Sequence, residues 1–175
     1  MAMTVLETER VILRQLRPDD VEPLFALYRD PDIRRYFPEG TLSRTETQAE
    51  LDWFINGGDP NHPSLGLWAV MEKESGTFIG RSGLTPWQID DRSEVEIAYL
   101  LAKTHWGRGL GTEIARALVC HGFDKLSYVR LIALIDPANE ASRRTALAAG
   151  LCFERDLIHE GTCCSIYAIQ NRKTD

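Results

Sequence analysis

The chain has 175 residues, 43% of them hydrophobic and 26% charged, which is the size and balance of one globular domain with room for a sizeable core. A formal net charge of −6 disfavours a nucleic-acid-binding surface and is compatible with a cationic substrate such as an amine. No apolar run reaches the ~20 residues of a membrane span, and the stretch from Met1 to Arg10 lacks the apolar centre of a signal peptide. The expectation is therefore a cytoplasmic protein, residues 1–175 forming a single domain, with neither membrane nor nucleic acid as partner.

Arg10 to Gln15 reads as a first strand, with Val11 and Leu13 on one face. Arg17-Pro18-Asp19-Asp20 is a turn with a candidate helix cap, and Val21, Leu24, Phe25 and Tyr28 then recur at the spacing of an amphipathic helix. Pro23 is tolerable there because it lies in the first turn. Ser43-Arg44-Thr45-Glu46 is a capping-box pattern. It opens a second helix that carries Leu51, Trp53, Phe54 and Ile55 and stops at Asn56-Gly57-Gly58. Leu65 to Met71 and Thr77 to Leu84 flank the turn Glu74-Ser75-Gly76 and read as a hairpin. Asp90-Asp91-Arg92-Ser93 is a further turn, and Glu94 to Leu101 is the next strand. A helix over Thr112 to Phe123 follows a glycine loop. Val129 to Ile135 reads as a buried strand ended by Asp136-Pro137. Asn139 caps a helix running to Ala149, with Gly150 in the stop position. Phe153 to Ile158 and Thr162 to Ile169 make a last hairpin around Glu160-Gly161.

The order predicts a mixed α/β domain with one central sheet. The strands on either side of the glycine-loop helix are expected to be parallel neighbours joined by a right-handed crossover. The four cysteines, Cys120, Cys152, Cys163 and Cys164, have no CxxC spacing. Cys120 is placed on the apolar face of a helix, and Cys163 and Cys164 on opposite faces of a strand. His62, His105, His121 and His159 lack metal-ligand spacing, so no metal is expected.

Chemistry concentrates at Trp106-Gly107-Arg108-Gly109-Leu110-Gly111-Thr112, between a strand and a helix. Glycines let the backbone turn tightly and approach a ligand, and the unpaired N–H groups of a helix start make a seat for phosphate, with Arg108 as a cation beside it. A nucleotide-binding P-loop is disfavoured because no Lys follows the last glycine, and a dinucleotide fold because the glycine spacing is wrong. The bland alternative is a glycine-rich turn without a ligand.

Glu94-Val95-Glu96-Ile97-Ala98-Tyr99-Leu100-Leu101, continued by His105-Trp106-Gly107-Arg108-Gly109-Leu110-Gly111-Thr112-Glu113, resembles the acyl-CoA-binding core of the GNAT superfamily of N-acyltransferases. Asn139-Glu140-Ala141-Ser142-Arg143-Arg144 with Gly150 is similar to the family's next block. The opening Leu6-Glu7-Thr8-Glu9-Arg10-Val11-Ile12-Leu13-Arg14 is similar to the branch of ribosomal-protein N-terminal acetyltransferases. Trp106 stands where the superfamily usually has Gln or Arg.

The resemblance implies a single, mostly antiparallel sheet splayed between two parallel central strands and flanked by helices, with acetyl-CoA as co-substrate in the opening. Its pyrophosphate would sit on the backbone from Arg108 to Thr112, within a loop of Trp106, Gly107, Arg108, Gly109, Leu110, Gly111 and Thr112. The pantetheine arm would pair with the backbone of Leu100 and Leu101, and Asn139 and Ser142 would lie near the thiol.

An amine must lose its proton before it attacks a thioester, so transfer needs a base, an oxyanion donor and help for the leaving thiolate. Glu96 is the candidate base, against the alternative that Glu94 and Glu96 are solvated strand charges. The helix tyrosine that many family members use for the thiolate is replaced here by Ala146, and Ser142 is the substitute the branch suggests; the other reading of Ser142 is a local backbone bond. A backbone N–H near Leu101 is the expected oxyanion donor. Tyr36, Trp53 and Trp87, with Phe37 and Phe54, are the aromatic candidates for the acceptor pocket, each also suited to the core. The favoured acceptor is a protein or peptide N-terminus, with a small amine, a non-catalytic acyl-CoA-binding module and a nucleotide-binding protein as alternatives. A monomer or homodimer is expected.

Overall fold

The computed structural model describes residues 2–172. In chain order the elements are β1 (Thr4–Glu7), β2 (Val11–Arg14), α1 (Val21–Tyr28), α2 (Arg44–Ile55), β3 (Gly66–Glu72), β4 (Phe78–Ile89), β5 (Arg92–Leu101), α3 (Leu110–Cys120), β6 (Arg130–Ile135), α4 (Glu140–Ala148), β7 (Cys152–His159) and β8 (Thr162–Gln170). They form one eight-stranded sheet in the order β1-β2-β3-β4-β5-β6-β8-β7. Every neighbouring pair is antiparallel except β5 and β6, which run parallel with α3 as the crossover between them.

The expected mixed sheet is present, with four local differences. An additional edge strand, β1, pairs with β2. β4 runs on to Ile89, so Trp87 lies in a strand rather than a connection, and the turn shrinks to Asp90-Asp91 with Asp90 at φ 52°. α3 begins at Leu110, two residues early, because Gly109 at φ 76° serves as its cap. Cys120 is exposed rather than on the apolar face, since the buried stripe is carried by Ile114, Ala115, Leu118 and Val119. Cys163 and Cys164 do point to opposite sides, one exposed and one buried.

The helices divide between the two faces of the sheet. On one face Ile79, Leu84, Ile97, Leu101 and Leu131 pack with Leu110, Ile114 and Leu118 of α3 and Ala146 of α4. On the other, Leu24, Leu27 and Tyr28 of α1 and Leu51 of α2 cover Ala69 and Leu100. A small cluster of Ile89, Ile132 and Ile166 continues that second face beyond the reach of α1 and α2. The capping box forms as expected: Ser43 Oγ accepts from Glu46 N at 3.2 Å, and Glu46 Oε2 accepts from Ser43 N at 2.7 Å. Asp20 does not cap α1 with its side chain. It forms a buried two-pronged ion pair with Arg14, both bonds 2.8 Å, and so fixes the start of α1 against β2.

Candidate active site

The parallel pair β5 and β6 meets at one register point, Glu96 opposite Ile132. Beyond it β5 stays with β4 as far as Leu101, while β6 stays with β8 from Ile132 to Ile135, so the two strands part toward their carboxyl ends. The Ala102 N–H donates to Ile79 O at 2.8 Å, which fixes the alternation of the antiparallel ladder. Glu96, Ala98 and Leu100 turn their backbone groups toward β4, and Ile97, Tyr99 and Leu101 turn theirs into the parting. This corrects the expectation for Leu100, whose carbonyl faces Gly80; the open edge belongs to Tyr99 and Leu101. The Leu101 carbonyl accepts from Trp106 Nε1 at 2.8 Å, so Trp106 closes the base of the glycine loop with an indole that is otherwise half exposed.

Gly107 and Gly109 both have positive φ, 70° and 76°, where a side chain would be strained. The first bond inside α3 runs from Glu113 N to Gly109 O, so the N–H groups of Leu110, Gly111 and Thr112 are ahead of it and available to an anion. Glu113 would oppose an anion there, but Arg10 neutralises it: Glu113 accepts from Arg10 Nε at 2.7 Å, from Arg10 N at 2.9 Å and from Thr8 Oγ1 at 2.5 Å. Arg10 also donates to the Arg108 carbonyl at 2.8 Å, and its other terminal nitrogen lies 3.6 Å from the point where a Cβ on Gly109 would sit. Arg10 is thus the cation next to the loop backbone. Arg108, the cation expected there, is instead drawn to Glu72 at 3.0 Å. The unpaired N–H groups, the open glycines and the free strand edge fit the phosphate and the amide arm of acetyl-CoA.

Glu96 sits at the apex of the parting. Its carboxylate accepts from Trp87 Nε1 at 2.6 Å, Thr85 Oγ1 at 3.2 Å and Leu134 N at 3.4 Å. Burial raises its pKa above the usual carboxylate range, and these bonds offset only part of that rise. The last bond has a structural use as well, because Leu134 N–H is a ladder group that the divergence of β6 leaves without a strand partner. Neither glutamate is a solvated strand charge. Glu94 is buried in an ion pair with Arg130 at 3.0 Å, and Arg130 also grips Glu154, which clamps the closed end of the parting.

On the opposite face of β5, the Tyr99 hydroxyl lies 3.0 Å from Ser142 Oγ and 3.1 Å from Ser142 O. Asn139 Oδ1 accepts from Ser142 N at 3.1 Å, capping α4 as expected. Burial pushes the Tyr99 pKa up to about 12. Tyr99 escaped notice in the sequence, although strand alternation from Glu96 already places it on the face of α4. Ala146 is fully buried and has no polar role.

The aromatic candidates separate. Trp87 is the indole donor to Glu96. Trp53, half exposed on α2, shares a depression of about 270 Å³ with Phe54, Gly66 and Thr85, so it opens near a partner of Glu96. Tyr36 lies under Arg35, 5.5 Å from its guanidinium, with no bond to the Glu96 group. Phe37 packs against the core of α1 and α2. Among the described residues no group of three His, Cys, Asp or Glu side chains gathers in a form that could hold a metal, and no described helix is long and apolar enough to cross a membrane.

A splayed parallel pair, an anion seat opening the crossover helix and a carboxylate at the apex define an acyl-CoA N-acyltransferase architecture. The family model described as the acetyltransferase (GNAT) domain matches residues 10–151, and the chain belongs to that family of N-acetyltransferases. It is 34% identical over 157 residues to the uncharacterized protein YkkB of Bacillus subtilis (strain 168), covering 89% of this chain and 90% of that one. It is 29% identical over 154 residues to the uncharacterized N-acetyltransferase YoaA of the same organism, with 83% and 81% covered. Among solved structures, a GNAT-family acetyltransferase from Bacillus anthracis superposes with a TM-score of 0.79 at 20% identity, covering 97% of this chain and 98% of that one. A Vibrio cholerae protein proposed to be a ribosomal-protein-serine acetyltransferase gives 0.73 at 18%, with the same coverage. The aminoglycoside acetyltransferase AAC(6')-Ib, solved with coenzyme A, gives 0.74 at 16%, covering 93% and 95%. These structural likenesses establish the fold.

Proposed function

We propose that the protein transfers the acetyl group of acetyl-CoA to the α-amino group of a peptide or protein N-terminus, by direct attack with both substrates bound. The observation that carries the reading is Glu96, a buried carboxylate of raised pKa at the apex of the β5–β6 parting. An α-amino group has a pKa of ~8, within reach of such a base acting directly or through water. The amine nitrogen attacks the thioester carbonyl, its proton passes to Glu96, and the C–S bond breaks to release the thiolate of CoA. The Leu101 N–H, turned into the parting, is the candidate oxyanion donor. The phosphates would rest on the N–H groups of Leu110, Gly111 and Thr112 beside Arg10.

The roles of Tyr99 and Ser142 follow from magnitudes. A tyrosine of pKa about 12 does not give up its proton to a thiolate whose own pKa is ~8.5. The pair instead serves as a hydrogen-bonding group for the departing sulfur, and Ser142 acts through its hydroxyl without changing protonation state.

The likeness to the Vibrio cholerae protein supports the peptide acceptor. The likeness to the aminoglycoside enzyme favours a small amine, but a polycation is ill suited to the two buried arginines on the acceptor face, Arg34 and Arg81. The test is CoA release with peptides of varied first residue beside polyamines, aminoglycosides and free amino acids. Peptide turnover above buffer is the expected result. Turnover of the small amines alone overturns the peptide reading, and stabilisation by acetyl-CoA with no turnover on any acceptor would make the protein an acyl-CoA-binding module.

A further inference from the structure

The face of the sheet that carries Glu96 also holds two buried cations. Arg81 of β4 is 6% exposed, and Arg34, in the segment after α1, is 4% exposed. They flank the same two rings: Arg34 is 4.1 Å from the centroid of Phe37 and 5.1 Å from that of Tyr28, and Arg81 is 5.5 and 5.7 Å from them. Arg81 Nε donates to Tyr28 Oη at 2.9 Å, and the Tyr28 hydroxyl donates to Glu50. Arg34 Nε donates to Gly40 O at 2.7 Å, and one terminal nitrogen stands 3.6 Å from the exposed Glu39.

An arginine has five N–H donors. Arg81 spends its Nε donor on the Tyr28 hydroxyl. The nearby acid Glu50 accepts from the Tyr28 hydroxyl, and its charge acts on both arginines. Arg34 feels the cost: burial and then the charge of Arg81 lower its pKa. Two buried guanidiniums against the same two rings are suited to a carboxylate.

The register says where this seat lies relative to the chemistry. Arg81 pairs with Leu100 and Thr85 pairs with Glu96, four residues or about 13 Å along the same strand face. Between them stand Gly83 and Ala98, one without a side chain and one with a methyl group. Arg81 and Glu96 are close enough to feel each other's charge. A span of about 13 Å is within reach of an extended peptide whose second or third residue extends its own acidic side chain.

Building on the peptide reading above, we propose that Arg81 and Arg34 form a carboxylate-binding subsite, and that the acceptor is a peptide N-terminus with Asp or Glu as its second or third residue.

The test is the ratio of KM values for matched peptides with Gln, Glu or Lys at position two or three, read by CoA release. The wild-type protein is expected to favour the Glu peptide over its Gln partner by about tenfold, with the Lys peptide poorest. In Arg34→Gln and Arg81→Lys that ratio collapses toward one. The ratio is internal to each variant, so partial loss of folded protein does not disturb it, and Arg34→Gln carries the test where Arg81 variants fold poorly. Peptides acetylated with no preference for Glu would overturn the subsite and leave the peptide reading standing. Turnover of a free acidic amino acid alone, lost in Arg34→Gln, would overturn the peptide acceptor and support the carboxylate seat.

Discussion

The two faces of β5 are built on different principles. Toward α3 and α4 the proposed donor side is assembled mainly from backbone: free N–H groups of a helix start, two glycines at positive φ, and an unpaired strand edge. Toward α1 and α2 the proposed acceptor side is assembled from side chains of four separate elements, with Glu96 from β5, Trp87, Thr85 and Arg81 from β4, Glu50 from α2, and Arg34 from the segment after α1. A backbone site tolerates most changes of side chain and serves one ligand shared by a whole family. A side-chain site can be rebuilt piece by piece, which is what a family with one donor and many acceptors requires.

The largest expected effect falls on the acceptor side. Glu96→Gln keeps the volume and one acceptor oxygen but removes the base. It should lower kcat by about 10²–10⁴-fold, while acetyl-CoA still raises the melting temperature as in the wild type. A fall of less than about threefold would return Glu96 to the structural role of holding Leu134 N–H at the point where the strands part.

On the other face, Gly109→Ala tests the backbone seat. A residue with a Cβ at φ 76° costs about 1–2 kcal/mol, and the strain falls on the cap of α3. Calorimetric titration should show acetyl-CoA affinity weakened by about tenfold, with KM for the acceptor less affected. Equal weakening of both substrates would mean that the loop shapes the whole parting and that the two sides are not separable.

The contrast also explains what could be read in the sequence. The glycine loop, the cap at Asn139 and most of the elements along the chain were legible because each is a local pattern with a local cause. Glu96 was legible by strand alternation alone. Arg81 and Arg34 were not, because nothing near either residue in sequence distinguishes a buried arginine from a surface one; their meeting at Tyr28 and Phe37 depends on how α1 lies on β4. The exchange of Arg108 for Arg10 has the same origin. Arg10 reaches the loop across about 100 residues of chain, through the pairing of its side chain with Glu113. The placement of Leu100 failed for a smaller reason: which residues of a strand face the open edge is set by the partner's register, here Ala102 on Ile79.

The subtlest test works within the acceptor side, on the indole that holds Glu96. The Trp87 N–H bond favours the ionised carboxylate and so lowers its pKa, against the larger upward effect of burial. Trp87→Phe removes the donor and keeps most of the ring, so the Glu96 pKa should rise further. Because the base must be ionised to act, the acid limb of kcat/KM moves to higher pH, and the rate well above that limb stays near the wild-type value. The acceptor amine has its own limb near ~8. That limb shifts when the peptide is changed and stays still when Trp87 is changed, so the two are told apart by varying each in turn. A limb that stays fixed in Trp87→Phe, or that moves toward acid, would show that the titrating group is not Glu96.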